Sequence, residues 1–186
     1  FGDNRYDGLY SGDYTLNQTS LVGDGQASVD FSDGRGCISA ITMDRDNPGT
    51  WAIAGVFKPT TVEAGMIIAS SNEGEEVTYY TQARMIIGID PAPEQMNLED
   101  NLLSVSYFHR IDPDTQLSNR TVVKSTTPIV AGNTYAYAVV CNGESIKLYL
   151  NGVLEGESFR TGYTLSLEFS ARLCFGDAYV FEDYSR

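Results

Sequence analysis

"IKLYLNGVLEG", residues 146–156, is a strand, a two-residue turn and a returning strand. Ile146, Leu148 and Leu150 alternate with Lys147 and Tyr149, so the first group faces a core and the second faces outward. Asn151 and Gly152 are the pair that a type I′ turn demands, because both central residues of that turn need positive φ. The stretch therefore predicts a β-hairpin late in the chain, set in a larger sheet.

Working outward, the same alternation recurs. It appears in "QASVDFS", "CISAIT", "TWAIAGVFKP", "GMIIASS", "EVTYYTQARMIIGI", "LLSVSYFHRI", "RTVVKST", "TYAYAVVCNG" and "LSLEFSARLCFGD". With the hairpin these make about ten strands, separated by Gly, Asn and Asp. That pattern predicts an all-β, antiparallel two-sheet sandwich or barrel. Helical periodicity is nearly absent; "APEQMNLEDNLL" offers at most one or two turns. The 186 residues, with 18 glycines and 12 tyrosines, suit one domain able to bury its own core. Residues 1–16 lack alternation and read as an N-terminal arm or edge segment, leaving 17–186 as the domain. The first residue is Phe1 rather than Met, as expected of a processed product or of part of a longer chain.

The formal charge of −13 excludes a nucleic-acid backbone as partner, since such binders carry a basic stripe. No apolar tract is long enough to insert in a membrane as a helix. Three cysteines, Cys37, Cys141 and Cys174, are spaced too widely for a zinc knuckle. Cys141 with Cys174 is the pairing expected if any disulfide forms. The odd count offers no framework, and free thiols are expected. The single histidine, His109, lies mid-strand and removes most histidine-based catalysis.

Period two also sorts the middle strands. Tyr80, Gln82 and Arg84 share a side with Ile86, and Ser104, Ser106 and Arg110 share a side opposite Leu103, Val105 and Tyr107. Together with Tyr149 these residues form a candidate carbohydrate-binding face. A solvated antiparallel sheet carries the same mixture without binding anything. Trp51 heads an apolar strand and is expected in the core rather than as a sugar platform.

The order of these segments resembles the concanavalin A-like lectin and glucanase superfamily, in the laminin-G-like form of its jelly roll. "GDGQASVDFSDGRGCISAI" is similar to that family's opening segment, and "TWAIAGVFKPT" to its next strand, which closes on Lys58-Pro59. "IVAGNTYAYAVVCNGESIKLYLNGVLEG" is similar to its aromatic-led strand and Asn-Gly hairpin, and "LEFSARLCFGDA" to a strand ending in Gly before a ligand loop. The resemblance implies a jelly roll and a non-catalytic, lectin-like module, extracellular or on a virion surface, with a glycan or a protein of a larger assembly as partner. It also implies a rim calcium as the one cofactor to consider, at Asp177, Asn142 and Asp24. Each of the three is also a natural turn former.

Two alternatives accompany it: a structural decoration or attachment domain of a virus particle or secreted assembly, and a glycoside hydrolase or polysaccharide lyase of the same fold. The hydrolases need paired carboxylates about 5 Å apart on a strand. The nearest acid pairs, Glu73 with Glu75 and Glu155 with Glu157, sit beside glycines and read as solvated loop charges. No catalytic residue is assigned, and the chain is expected not to be an enzyme.

Overall fold

The computed structural model describes residues 9–11, 14–31, 37–42, 50–62, 66–72, 83–89, 101–111, 118–159 and 172–175. Among these residues there is no helix, and thirteen strands run antiparallel to their neighbours. They are β1 (Leu9–Ser11), β2 (Thr15–Gln18), β3 (Ser28–Asp30), β4 (Cys37–Thr42), β5 (Trp51–Phe57), β6 (Met66–Asn72) and β7 (Ala83–Ile89). The remainder are β8 (Leu102–Ile111), β9 (Ser118–Pro128), β10 (Tyr135–Cys141), β11 (Ser145–Leu150), β12 (Val153–Phe159) and β13 (Arg172–Phe175).

One sheet has seven strands in the order β1-β4-β13-β6-β7-β8-β9, and a second has four in the order β12-β11-β10-β5. The hairpin β2–β3 stands apart as a two-stranded sheet. Residues 9–11 of the expected arm form the edge of the large sheet, with Leu9 opposite Ser39 and Ser11 opposite Cys37.

Asn151 and Gly152 take φ of 50° and 81°, as the turn requires. The Asn151 side chain also accepts a hydrogen bond from the Ala136 amide at 2.9 Å, and its own amide donates to the Ala136 carbonyl at 2.7 Å. The turn thereby continues the pairing of β10 and belongs to the sheet. Its function is architectural.

The core lies between the two sheets. Trp51, Ile53, Tyr135, Tyr137, Val139, Cys141, Ile146, Leu148 and Leu150 enter from the small sheet, against Met85, Ile87, Leu103, Val105, Tyr107 and Val123 of the large one. Trp51 stacks on Tyr107 with ring centroids 6.3 Å apart, so the tryptophan is a core residue, as its position in an apolar strand suggests.

The two sheets are joined along one side by matched irregularities in β9 and β12. Leu148 pairs with Gly156 and Tyr149 with Leu154, which leaves Glu155 as an extra, bulged residue. In β9 the ladder shifts between the partners of Leu102 and Ser104, and the Ser125 hydroxyl accepts the Leu103 amide there at 3.0 Å. The bulge aims the Glu155 carboxylate at β9. It accepts hydrogen bonds from the amides of Thr126 (2.9 Å) and Thr127 (3.0 Å) and from both threonine hydroxyls. Glu157 pairs with Lys147 at 3.4 Å and accepts from the Ser145 hydroxyl. Neither acid is a solvated loop charge; both sit on a strand with assigned donors. Glu73 and Glu75 lie outside the described residues.

The hydroxyl of Thr126, then that of Thr127 and the two amides, hold the Glu155 carboxyl below its ordinary value of 4.5. A lowered folded pKa contributes stability that is present above the unfolded value and lost as pH falls through the folded one. Glu155→Gln is expected to cost about 1 kcal/mol at pH 7, a charge-assisted contribution discounted for solvent screening. Denaturant melts should show the gap to wild type closing as pH drops below 4.5. A gap that stays constant down to the acid limit would show that the charge is irrelevant.

Candidate functional site

Of the residues expected to form a carbohydrate face, Ser104, Ser106 and Tyr149 have described side chains, and these three do not share one surface. Ser104 and Ser106 are 1% exposed each, and Ile86 on the neighbouring strand is buried too. The middle of β7 and β8 is therefore closed on both faces, and neither serine offers its hydroxyl to solvent. Alternation sorted these residues onto the non-core side correctly, but that side is covered. Ser104 Oγ donates weakly to the Gly88 carbonyl at 3.5 Å, within the sheet. Tyr149 is half-buried on the outer side of β11 in the four-stranded sheet, separated from the serines by the whole core. Arg84 and Arg110 lie on β7 and β8. A bulge between Phe108 and Arg110 interrupts the alternation that grouped Arg110 with the serines. Tyr80 and Gln82 lie outside the described residues, as do the side chains of both arginines.

Asn142 and Asp24 are spent on turns. Asn142 Oδ1 accepts from the amides of Glu144 (3.0 Å) and Ser145 (2.7 Å) and from the Ser145 hydroxyl, closing the β10–β11 turn. Asp24 Oδ1 accepts from the Ser20 hydroxyl at 2.7 Å and the Gln26 amide at 2.9 Å, between Gly23 and Gly25 at positive φ. The Ser20 hydroxyl and then the Gln26 amide draw the Asp24 pKa below its ordinary value. Asp177 lies outside the described residues. Among the described residues no three His, Cys, Asp or Glu side chains come close enough to share a metal ion. Asp24 and Asn142 each accept hydrogen bonds from their own loops.

Cys141 is a buried thiol outside any disulfide, and burial pushes its pKa up. It lies on β10 of the small sheet, whereas Cys174 lies on β13 of the large one.

The structure instead shows a cleft of about 640 Å³ where the β2–β3 hairpin meets the open end of the sandwich. Its floor is apolar: Phe57 and Tyr137 from the small sheet, and Met66 and Ile68 from the large one. Its other residues are mixed: Gln18, Ser20, Ser28 and Asp30 with Leu21, Val29 and Phe31 on the hairpin side, and Lys58 and Thr60 beyond β5. That volume is within the usual range for small-molecule sites, about 300–1,000 Å³, and an apolar floor with a few polar groups is their usual make-up.

Gly55 shapes the floor. It pairs with Tyr137 across β5 and β10, and a Cβ there would meet the tyrosine ring at 2.9 Å. Without a side chain at 55, the Tyr137 ring lies across β5, the terminal strand of its sheet, toward the hairpin. Phe57 holds that ring edge-on, centroids 6.0 Å apart, and stacks on Tyr135 at 5.5 Å. Period-two reading of residues 1–31 missed this cleft, because the hairpin that walls it has little alternation. The available signal was the lone glycine in "TWAIAGVFKP", which marks a close approach in a strand.

No protein-family model matches the chain, and no curated protein matches it. Solved structures do. Domain 4 of AbnA, a GH43 extracellular arabinanase from Geobacillus stearothermophilus, in complex with arabinotriose, is similar at a TM-score of 0.56 and 12% identity. The match covers 94% of this chain and 75% of that one. The LG1-3 region of the laminin α2 chain is similar at a TM-score of 0.50 and 14% identity, over 96% of this chain and 26% of that one. The fold is an antiparallel two-sheet jelly-roll sandwich, like that of both structures.

The jelly roll of the Ruminococcus gnavus IT-sialidase CBM40 bound to α2,3-sialyllactose is a further match. It has a TM-score of 0.48 and 14% identity, over 70% of this chain, which spans 64% of the length of that one. At such identities the likeness concerns architecture. The cleft under the β2–β3 hairpin is a feature of this jelly roll's own residues.

Proposed function

We propose that the protein is a non-catalytic carbohydrate-binding module that works outside the cell, with its sugar seated in the cleft beneath the β2–β3 hairpin. The observation that carries this reading is the composition of the cleft. An apolar floor of Phe57 and Tyr137 suits the C–H face of a sugar ring, and the hydroxyl and amide groups of the lining suit its edge. The described lining holds one carboxylate, Asp30, and one ammonium, Lys58. Glycoside hydrolysis uses two carboxylates flanking the bond, so this set favours holding a sugar over cleaving it. A domain of the same fold, from an extracellular arabinanase, is in complex with arabinotriose, which supports both the ligand class and the location.

The test is a glycan array followed by calorimetry on three proteins. Lys58→Ala/Thr60→Ala in the cleft is expected to weaken binding at least about tenfold with the melting temperature nearly unchanged, since both side chains are exposed. Tyr80→Ala/Arg84→Ala/Arg110→Ala, on the face read from alternation, is expected to bind as wild type does. The reverse result moves the sugar to that face. Loss of binding with chelator or with Asp177→Ala moves it to a calcium rim. No binding to any glycan, with release from a larger particle on deleting residues 1–16, makes the domain a structural attachment module.

A further inference from the structure

Tyr135 and Tyr137 are neighbours on the same inner face of β10, and both are buried. Their hydroxyls differ. Tyr135 Oη accepts the Val130 amide at 2.9 Å and is thereby part of the loop before β10. The Tyr137 side chain is 4% exposed, lines the cleft and makes no hydrogen bond among the described residues. Among the described residues the water-excluded, unpartnered side-chain atom is Trp51 Nε1; the Tyr137 hydroxyl keeps some contact with solvent at the cleft, where it is able to donate to a ligand. Gly55 permits the placement: a Cβ at that position would sit 3.0 Å from the Tyr137 oxygen.

We infer that the Tyr137 hydroxyl is the hydrogen-bond donor at the bottom of the cleft, and that the ligand it meets is an uncharged sugar hydroxyl. The inference rests on reading the cleft as a sugar site and adds its deepest contact and the class of glycan it takes. Burial pushes the phenol up to about 12, so it keeps its proton throughout the physiological range and acts as a donor.

The choice of an uncharged glycan follows from the charges. The described lining holds one cation, Lys58, and one anion, Asp30, so it offers no surplus of positive charge to hold a carboxylated sugar, in a chain of net charge −13. The acidic chain as a whole repels an anionic ligand on approach, an effect that salt weakens over a Debye length of about 8 Å. An uncharged ring meets no such field, while its apolar face covers Phe57, Met66 and Ile68.

The experiment compares wild type and Tyr137→Phe against neutral oligosaccharides and against sialylated or uronic-acid oligosaccharides of matched length. Wild type is expected to bind the neutral set at least about tenfold more tightly than the acidic set. Tyr137→Phe is expected to lose about tenfold in affinity for the neutral set, the usual worth of one well-placed hydrogen bond. Its melting temperature should be nearly unchanged, because the ring keeps its edge-on contact with Phe57 and the hydroxyl bonds no described residue. With ¹³Cζ-labelled tyrosine, the one resonance absent from Tyr137→Phe should shift on adding the neutral ligand, a readout that a packing role would not move. Equal affinity of Tyr137→Phe and wild type, or tighter binding of the acidic set, overturns the inference and leaves the sugar reading standing. A wild type that binds no glycan of either kind overturns both.

Discussion

Gly156→Ala is expected to lower the unfolding free energy by about 3 kcal/mol, the upper end of what overpacking a well-filled site costs. The added Cβ would lie 2.5 Å from the Lys124 carbonyl oxygen and 2.8 Å from Val123 Cγ1. The first of these is backbone, so no rotamer change relieves it. The only escape is for β12 to draw back from β9, and that movement also breaks the four hydrogen bonds at the adjacent Glu155 carboxylate. Two losses thus share one displacement. Urea melts of Gly156→Ala, Glu155→Gln and the double variant check this: the double should cost less than the sum, since each change loosens the same seam. Wild-type stability for Gly156→Ala would show that the two sheets do not approach this closely.

What could be read from the residues follows from what period two and turn chemistry encode. The Asn151-Gly152 turn was legible because few dipeptides accept two consecutive positive φ angles, and φ of 50° and 81° bear it out. Ile146, Leu148 and Leu150 were legible as core for the same reason that Lys147 and Tyr149 were not. Alternation assigns sides, however, and says nothing about whether the second side is covered. That is why Ser104 and Ser106, polar and opposite Val105, looked like a surface and are buried.

Bulges are the other blind spot. "VLEGESF" reads as acids beside a glycine, yet a one-residue register shift makes Glu155 a clasp and Gly156 the point of closest approach. A glycine inside a strand is a signal for such closeness, but not for what approaches. The candidate cleft depends on a hairpin that, among the described residues, pairs only with itself, and its position comes from tertiary packing that no local pattern reports.

Gly55→Ala carries the second large effect, about 2 kcal/mol of stability together with the loss of most ligand affinity. Its Cβ would meet Tyr137 Cε1 at 2.9 Å, Oη at 3.0 Å and Cζ at 3.1 Å. The ring is wedged by Phe57 on one side and the core on the other, so it can give way only toward the cleft. The space a sugar would use is then occupied by the protein's own tyrosine. A double-mutant cycle with Tyr137→Leu separates this clash from any general distaste of β5 for alanine. Leucine at 137 vacates the ring position at its own cost, a cavity. Gly55→Ala on that background should cost under about 0.5 kcal/mol, because alanine is otherwise the better strand residue. The coupling would then be about 1.5 kcal/mol or more, as befits residues in direct contact. If the two costs simply add, Gly55 and Tyr137 do not meet across the strands, and the tyrosine has no reason to lie toward the cleft.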